Sequence, residues 1–300
     1  MVTSALIAGA QAPPDPPEVG GPVDARPLVR ERAPADRPSV RPPFRFTAKR
    51  PRVAAIPDRS QAEVSAAQAL LSDPPISAAR ILSFLREFPP RAEQPSRDGW
   101  ELCESVGSLP PAVLTLGHFV HGGVAGVTVA THFHSDLLRA LNRVVRQAFP
   151  GGTWTAVALS INSRARLHKD VHNHPESFNY IVQLSSPPRG GGIWVQLSPG
   201  DEVAGPISSR ALPDGRVLHG HTLTLQLPQR LRPAQYHESE PWTSGDRINA
   251  VAYTPRQVWR LPQESVDLLL SLEFPVPSAS PKCCRVASET SQGGGVKLSL

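Results

Sequence analysis

One cluster of residue types in this sequence is suited to metal chemistry: His168-Lys169-Asp170, followed 67 residues after Asp170 by His237. Two imidazoles and one carboxylate on one face of an octahedron leave three positions open, the arrangement that suits iron(II) with a bidentate cosubstrate and dioxygen. The spacing has a physical reason. A His-x-Asp at a strand end turns two alternate side chains to one side, and a distal histidine arrives on a neighbouring strand that the fold brings close. Arg247 stands ten residues after His237, at the head of an apolar run. A guanidinium there can grip a carboxylate through two parallel hydrogen bonds, so a dicarboxylic cosubstrate held at that end could chelate the metal with its keto-acid end. That cosubstrate would be 2-oxoglutarate.

The triplet alone is weak, because His134-Ser135-Asp136 repeats it. Asp136 opens a strongly periodic helix, where a carboxylate meets free backbone N–H groups and the positive end of the helix dipole, so it reads as a cap. The second triplet gains its weight from strand context, the distal histidine and the following arginine. His172 and His174 extend it to a pattern that zinc or a cupin-type metal could use, but loop positions explain them more simply. His219 and His221, in a glycine-containing turn, receive no role. Asn179 and Tyr180 follow on the next strand, and alternation turns one of the two inward, where it could hydrogen-bond the cosubstrate; strand packing is the competing reading of Tyr180. Gly190-Gly191-Gly192 reads as a turn feeding a strand. Trp194 and Trp242 would suit stacking on a base, though packing is their commoner use.

These residues need a scaffold, and the sequence outlines one. Beyond Trp154 the apolar period drops to two, with strands expected at 154–161, 177–184, 193–197, 222–227 and 248–253 between Gly, Pro and Asp turns. Short strands are also expected at 113–116 and 124–130. Leu137, Leu138, Leu141, Val144, Val145 and Ala148 mark a helix ended by Pro150-Gly151-Gly152. Residues 61–88 are helical in period, with a cap at Ser77 and a stop at Pro89-Pro90. The fold class expected is mainly β with flanking helices (α+β), around a double-stranded β-helix (jelly-roll) core. The organisation expected is a disordered Pro/Arg-rich segment at 1–60, a helical lead-in at 61–111, the β domain at 112–275 and a disordered tail at 276–300.

Composition sets the bounds. Thirty-four prolines and 22 glycines put much of the 300-residue chain outside regular elements. Of the net charge of +5, residues 1–60 carry +4, which suits nonspecific contact with a polyanion or simply a solvated tail. Three cysteines, at 103, 283 and 284, are too few and too badly spaced for a disulfide framework or a paired-cysteine zinc site, so a reducing intracellular compartment is expected, nucleus and cytoplasm unresolved. The mildly apolar start lacks the basic region of a signal peptide, and no apolar run reaches 18 residues, so no membrane span is expected.

A family likeness rests on particular stretches. Leu114-Thr115-Leu116-Gly117, His121-Gly122-Gly123-Val124, Phe149 through Trp154, His168 through Asn173, Gly191-Gly192-Ile193-Trp194, His237 with Pro241-Trp242, and Tyr253-Thr254-Pro255-Arg256 together resemble the dioxygenase-like domain of mobile-element polyproteins in unicellular algae. That domain is similar to iron(II)- and 2-oxoglutarate-dependent oxygenases of the prolyl-hydroxylase and nucleic-acid-demethylase type. The resemblance covers about residues 112–256 and implies His168, Asp170 and His237 as iron ligands, Arg247 as cosubstrate anchor with Arg256 as its rival, and C–H hydroxylation using dioxygen. Its departures are Lys169, where arginine is usual, and a longer stretch between Trp194 and His237, which leaves the substrate open between nucleic acid and protein. Two other readings remain: a jelly-roll module that has lost catalysis and binds a partner, and a zinc-binding or cupin-like domain.

Overall fold

The computed structural model describes residues 59–72, 75–90, 100–103, 107–185, 187, 189–201, 203 and 205–277. Of the two units into which the chain divides, Met1–Ile56 lies outside these residues and Pro57–Leu300 contains them all. Apart from residues 59, 60, 276 and 277, the expectations for 1–60 and 276–300 lie outside the described residues, as do Cys283 and Cys284.

The helical period at 61–88 becomes two helices, α1 (Gln61–Ser72) and α2 (Ala78–Glu87). Ser77 separates them by capping α2, its hydroxyl accepting from the Arg80 N–H at 3.3 Å. Ile81, Phe84 and Leu85 make the buried face of α2, at the spacing one helical side provides. Three strands and two helices come next in the chain: β1 (Trp100–Leu102), β2 (Ala112–His121), β3 (Val124–Val127), α3 (Val129–Phe133) and α4 (Ser135–Ala148). The strand expected over 124–130 therefore stops at Val127, and its last residues start a helix. In α4 the stripe of Leu137, Leu138, Leu141, Val144 and Val145 is buried as expected, while Asp136 is not the cap. It sits in the first turn and pairs with Arg139 at 3.1 Å, and the cap position is His134, which makes no side-chain capping bond. Asp136 still lies where the helix dipole favours a carboxylate.

The remaining strands are β4 (Ala156–Ile161), β5 (Ser163–Ala165), β6 (Asn179–Ser185), β7 (Ile193–Gln196), β8 (Ile207–Ala211), β9 (Val217–Leu223), β10 (Gln229–Leu231), β11 (His237–Ser239) and β12 (Ile248–Tyr253), followed by α5 (Gln263–Ser271). Every pairing among them is antiparallel. Among the described residues they form a six-stranded sheet in the order β10-β6-β12-β4-β2-β3, a four-stranded sheet β11-β7-β9-β8 and a small β1-β5 pair. This is a mainly β fold of antiparallel sheets with a few helices. No helix among the described residues is long and apolar enough to cross a membrane.

The larger sheet has two different faces. Leu159 of β4, Val182 and Leu184 of β6 and Ile248, Ala250 and Ala252 of β12 point to the helices and join α1, α2, α4 and α5 in the main core. Alternate residues point the other way, where Ile181 and Val251 meet Ile193 and Val195 of the smaller sheet in a second, smaller core with Leu225 and Leu231. The chemistry expected from the sequence falls at the border of that second core.

Candidate metal centre

The His-x-Asp spacing works as strand geometry would have it. His168 and His237 form an antiparallel bridge and exchange both backbone hydrogen bonds, His168 N to His237 O at 3.0 Å and His237 N to His168 O at 2.9 Å. Their rings therefore lie side by side, with centroids 4.3 Å apart. Asp170 is two residues on and returns to the same side; its own N–H donates to Pro233 O at 3.0 Å, fixing the loop against the chain that leads to β11. One ligand atom from each of His168, Asp170 and His237 lies within 4.8 Å of the other two. Asp170 Oδ1 is 3.5 Å from His168 Nε2 and Oδ2 is 3.5 Å from His237 Nε2. Ligands at right angles around an ion at about 2.1 Å would stand about 3 Å apart, so the three close on a metal with little movement.

The tautomers are set by the backbone. His168 Nδ1 lies 2.6 Å from Arg166 O and His237 Nδ1 lies 3.0 Å from Gln235 O, each carbonyl two residues upstream. A carbonyl only accepts, so Nδ1 of each ring carries a hydrogen, and Nε2 is the atom turned toward Asp170 that a metal would take. Electrostatics agree for two members of the set. Burial works against charge on Asp170, but hydrogen bonding and charge from His168, with the charge of His237, outweigh it and hold the carboxyl below its ordinary range. Burial pushes His237 down, toward the neutral form a metal needs. His168 is pushed down by burial, yet its hydrogen bond to Asp170 overrides this and raises it, so a metal would displace that proton.

Asn179 is the partner that orients the carboxylate. Its Nδ2 donates to Asp170 Oδ2 in a short hydrogen bond, and its Oδ1 accepts from Asn173 Nδ2 at 2.9 Å. Tyr180 points the opposite way, into the main core, with its ring 4.9 Å from that of Phe149 and 5.6 Å from that of Trp154. Alternation thus gives the site Asn179 and leaves Tyr180 to packing; the amide of Asn179 is engaged by Asp170 and Asn173.

Arg247 immediately precedes β12, in alternation with Asn249 and Val251, whose face is turned to the smaller sheet. His237 lies opposite Val195 in β7, and Val195 belongs to that same inter-sheet core, so His237 and Arg247 both face the inter-sheet side. Arg247 is 2% exposed. Its Nε donates to Gly191 O at 2.8 Å and Nη1 to Ser163 O at 3.2 Å, while Asn249, with its amide oxygen turned to the guanidinium, accepts from Nη1 and Nη2 at 3.0 and 3.2 Å. No ion pair to Arg247 forms among the described residues, and burial pulls its pKa down to about 10. Gly191 has to be glycine: its φ is +73°, and a Cβ would stand 3.3 Å from Arg247 Cδ and 2.7 Å from Pro187 Cγ. Arg256, by contrast, is exposed at the far end of β12 and gives its Nε to Asn173 O at 3.1 Å.

The other sequence candidates separate cleanly. His134 and Asp136 belong to the start of α4, away from the triad's hydrogen bonds. His172 and His174 are not in the three-ligand group; the His172 carbonyl accepts from Arg256 N, and His174 sets its ring edge-on to Trp259. Trp194 is fully buried on the outer face of the smaller sheet, donating to Ser208 Oγ at 3.0 Å, and Trp242 is buried with its Nε1 on Gly245 O. His221 lies in β9 rather than a turn, opposite Val195, only 6% exposed and on the inter-sheet face. Sequence spacing missed it because a seven-residue strand with His, Gly, His and Thr at its centre has no apolar alternation to reveal it.

No protein-family model and no curated protein matches the chain. Among solved structures it is similar to a Pseudomonas putida prolyl-4-hydroxylase, at 13% identity over 65% of this chain and 99% of that one, with a TM-score of 0.30. It is also similar to the Escherichia coli ribosomal oxygenase YcfD, at 12% identity over 61% of this chain and 51% of that one, with a TM-score of 0.27. At such values the function has to be argued from the site itself.

Proposed function

We propose that residues 112–275, with helices α1 and α2 of the expected lead-in 61–111 packed on them, form a double-stranded β-helix oxygenase domain holding iron(II) through His168, Asp170 and His237 and 2-oxoglutarate through Arg247. What supports this reading is that two features face the same inter-sheet side. A three-ligand set presents two Nε2 atoms and a carboxylate, and a buried guanidinium there has neutral partners only. A buried charge without a counter-charge is costly, and a dianion entering beside it would supply the missing partner. Bound there, iron(II) with 2-oxoglutarate and dioxygen supplies oxidative decarboxylation, giving succinate and carbon dioxide while the second oxygen atom enters a C–H bond of the substrate. The chain's own residues do the placing. The Arg166 and Gln235 carbonyls fix the imidazole tautomers, Asn179 orients Asp170, and Arg247, itself positioned by Asn249, would hold the far carboxylate. Descent from a mobile-element polyprotein accords with the resemblance of 112–256 to such domains.

A structural zinc would call for a fourth protein ligand, and among the described residues the group offers three. The test measures iron(II) binding and 2-oxoglutarate-dependent succinate release together. The expected result is one iron per chain, lost in His168→Ala and Asp170→Ala and retained in His134→Ala, with succinate released only when iron is bound. Tight zinc without turnover would transfer the site to the zinc-binding reading, and iron binding without succinate release to the inactive module.

A further inference from the structure

The turn ahead of β11 is tied to a second turn that supplies no metal ligand, and a single side chain makes the tie. Gln235 N donates to Arg232 O at 3.1 Å, and Gln235 Oε1 accepts from Arg232 N at 3.4 Å, which closes the chain just before His237. The Gln235 carbonyl is the acceptor of His237 Nδ1 at 3.0 Å. Its side-chain Nε2 meets three acceptors beyond the end of β7: Gln196 O at 3.1 Å, Ser198 Oγ at 3.1 Å and Asp201 Oδ2 at 2.9 Å. Gln196 returns the contact, its Oε1 accepting from Tyr236 N at 3.3 Å and its N–H donating to Tyr236 O at 2.8 Å. Asp201 is held in turn, because Oδ2 also accepts from Ser198 N at 2.7 Å and Asp201 N donates to Ser198 O at 3.0 Å.

The backbone torsions of Gln235 set both where its side chain starts and where its carbonyl points, so anchoring the amide also fixes the acceptor of the His237 ring. The amide has two hydrogens for its three acceptors, and the bond to Asp201 is strengthened by the carboxylate charge. Position 235 therefore needs a donor and position 201 an acceptor. Apolar packing does not account for the pair, since both are half-buried and neither joins the two apolar cores. A clasp that served only to close a surface turn could fall anywhere along it. This one falls on the residue whose carbonyl holds a candidate ligand. Hydrogen-bond partners behind a ligating histidine fix its ring and tautomer, and losing such a partner costs a metal site about 10- to 100-fold in affinity.

We propose that Gln235, clasped by Asp201, is a positioning residue of the metal centre, and that through it metal binding at His237 is coupled to the order of the turn 198–201. The inference rests on the ligand set read above. Coupling is reciprocal: a turn that supports the ligand is itself supported when the metal binds. The test titrates the full chain with cobalt(II), an air-stable stand-in for iron(II) whose visible absorption reports binding, and follows backbone hydrogen exchange at 198 and 201 with and without the metal. Gln235→Glu sets a second carboxylate against Asp201 and should weaken cobalt binding about 10- to 100-fold. Asp201→Asn keeps an acceptor and should cost less. Combined with Gln235→Glu it supplies the missing donor, so the double variant should bind cobalt more tightly than Gln235→Glu alone. Asp201→Ala removes the acceptor without adding a charge and should also weaken binding, which keeps the test open if Gln235→Glu does not fold. Cobalt should slow exchange at 198 and 201 in the wild type and leave it unchanged in Gln235→Glu and Asp201→Ala. A clasp that matters for stability alone would lower the melting temperature of the metal-free variants and leave their cobalt affinity at the wild-type value; that result, or wild-type exchange at 198 and 201 that ignores the metal, overturns the proposal. A wild-type chain that takes up no cobalt sinks the ligand set and this inference with it, whereas wild-type uptake with undiminished affinity in the variants sinks the inference alone.

Discussion

The two faces of one strand, β12, are built on opposite plans. Ile248, Ala250 and Ala252 turn to the helices and are fully buried in an apolar core, whereas Arg247 and Asn249 turn to the smaller sheet and are just as buried among polar partners. β6 divides the same way, with Tyr180, Val182 and Leu184 on the helix side and Asn179, Ile181 and Gln183 on the other. The inter-sheet face is covered too, although Gln183 and Val251 are only half-buried, so the difference lies mainly in what burial achieves. The helix face gains from water exclusion at about 25 cal/mol per Å², and the inter-sheet face spends part of that gain to keep charged and amide groups dry and in place. Stability and chemistry are therefore separable along a single strand, residue by residue.

The largest expected effect breaks the helix face alone. Leu159, fully buried between β2 and β12, lines the main core. Leu159→Ala should cost about 2 to 5 kcal/mol in chemical denaturation, the range for a buried leucine whose cavity only partly collapses. Iron affinity of the folded fraction should stay at the wild-type value. A fall in iron affinity in step with stability would mean that the two faces are not independent.

The next effect breaks the polar face. Arg247→Lys keeps the charge and loses the planar fork, so 2-oxoglutarate should bind about five- to a hundredfold more weakly, equivalent to about 1 to 3 kcal/mol. Arg247→Ala should lose more, with iron binding retained, because all three ligands come from elsewhere. In the wild-type chain, saturating 2-oxoglutarate should raise the melting temperature, and in Arg247→Ala it should not. Arg256→Ala, at an exposed position whose guanidinium rests on a carbonyl, should leave cosubstrate affinity unchanged. A titration calorimetry series on the three variants decides between the two arginines: the opposite order of losses would move the anchor to Arg256.

How much of this was legible in the sequence follows from the same contrast. The His-x-Asp triplet and the distal histidine, which the structure brings together, could be picked out because a candidate ligand set is marked by residue type and spacing rather than by burial. Helix α4 could be read because one of its faces is wet, so its apolar residues repeat at three and four. Asn179 and Tyr180 could not be told apart, since both faces of β6 are covered and alternation of polarity no longer marks the inside. Strands β8 and β10 went unseen for the opposite reason: Ile-Ser-Ser-Arg-Ala and Gln-Arg-Leu are too exposed or too short to show a period. The unexpected start of α3 at Val129 reflects tertiary context overriding the β preference of valine. Asn142 interrupts an otherwise apolar stripe, and only the fold explains it: its amide accepts from Trp154 Nε1 and donates to Leu272 O, both at 2.8 Å, joining α4 to two other segments.

The smallest expected effect sharpens the comparison at the residue where the two plans meet. Asp246 precedes Arg247, and its carboxylate accepts from Ser108 N at 2.8 Å, Ser108 Oγ at 2.6 Å, Leu109 N at 3.0 Å and Asn162 Nδ2 at 2.9 Å. Asn162 in turn accepts from Arg247 N at 2.9 Å on its Oδ1 and is held at a φ of +45°, so this network sets where β12 and its arginine begin. Burial opposes charge on Asp246, but the hydrogen bonds from Asn162, Ser108 and Leu109 outweigh it and keep the carboxyl below its ordinary value. A carboxylate whose folded pKa is lowered favours the folded state above its ordinary pKa, and that contribution disappears as pH falls through the folded value. Asp246→Asn should therefore cost about 1 to 2 kcal/mol at pH 6, typical of charge-assisted bonds reduced to neutral ones, and the gap to wild type should close as pH is lowered from 5 toward 2. The measurement is urea denaturation of both proteins across that range. A gap that stays constant with pH would show that Asp246 acts through shape alone and that its charge does not help position Arg247.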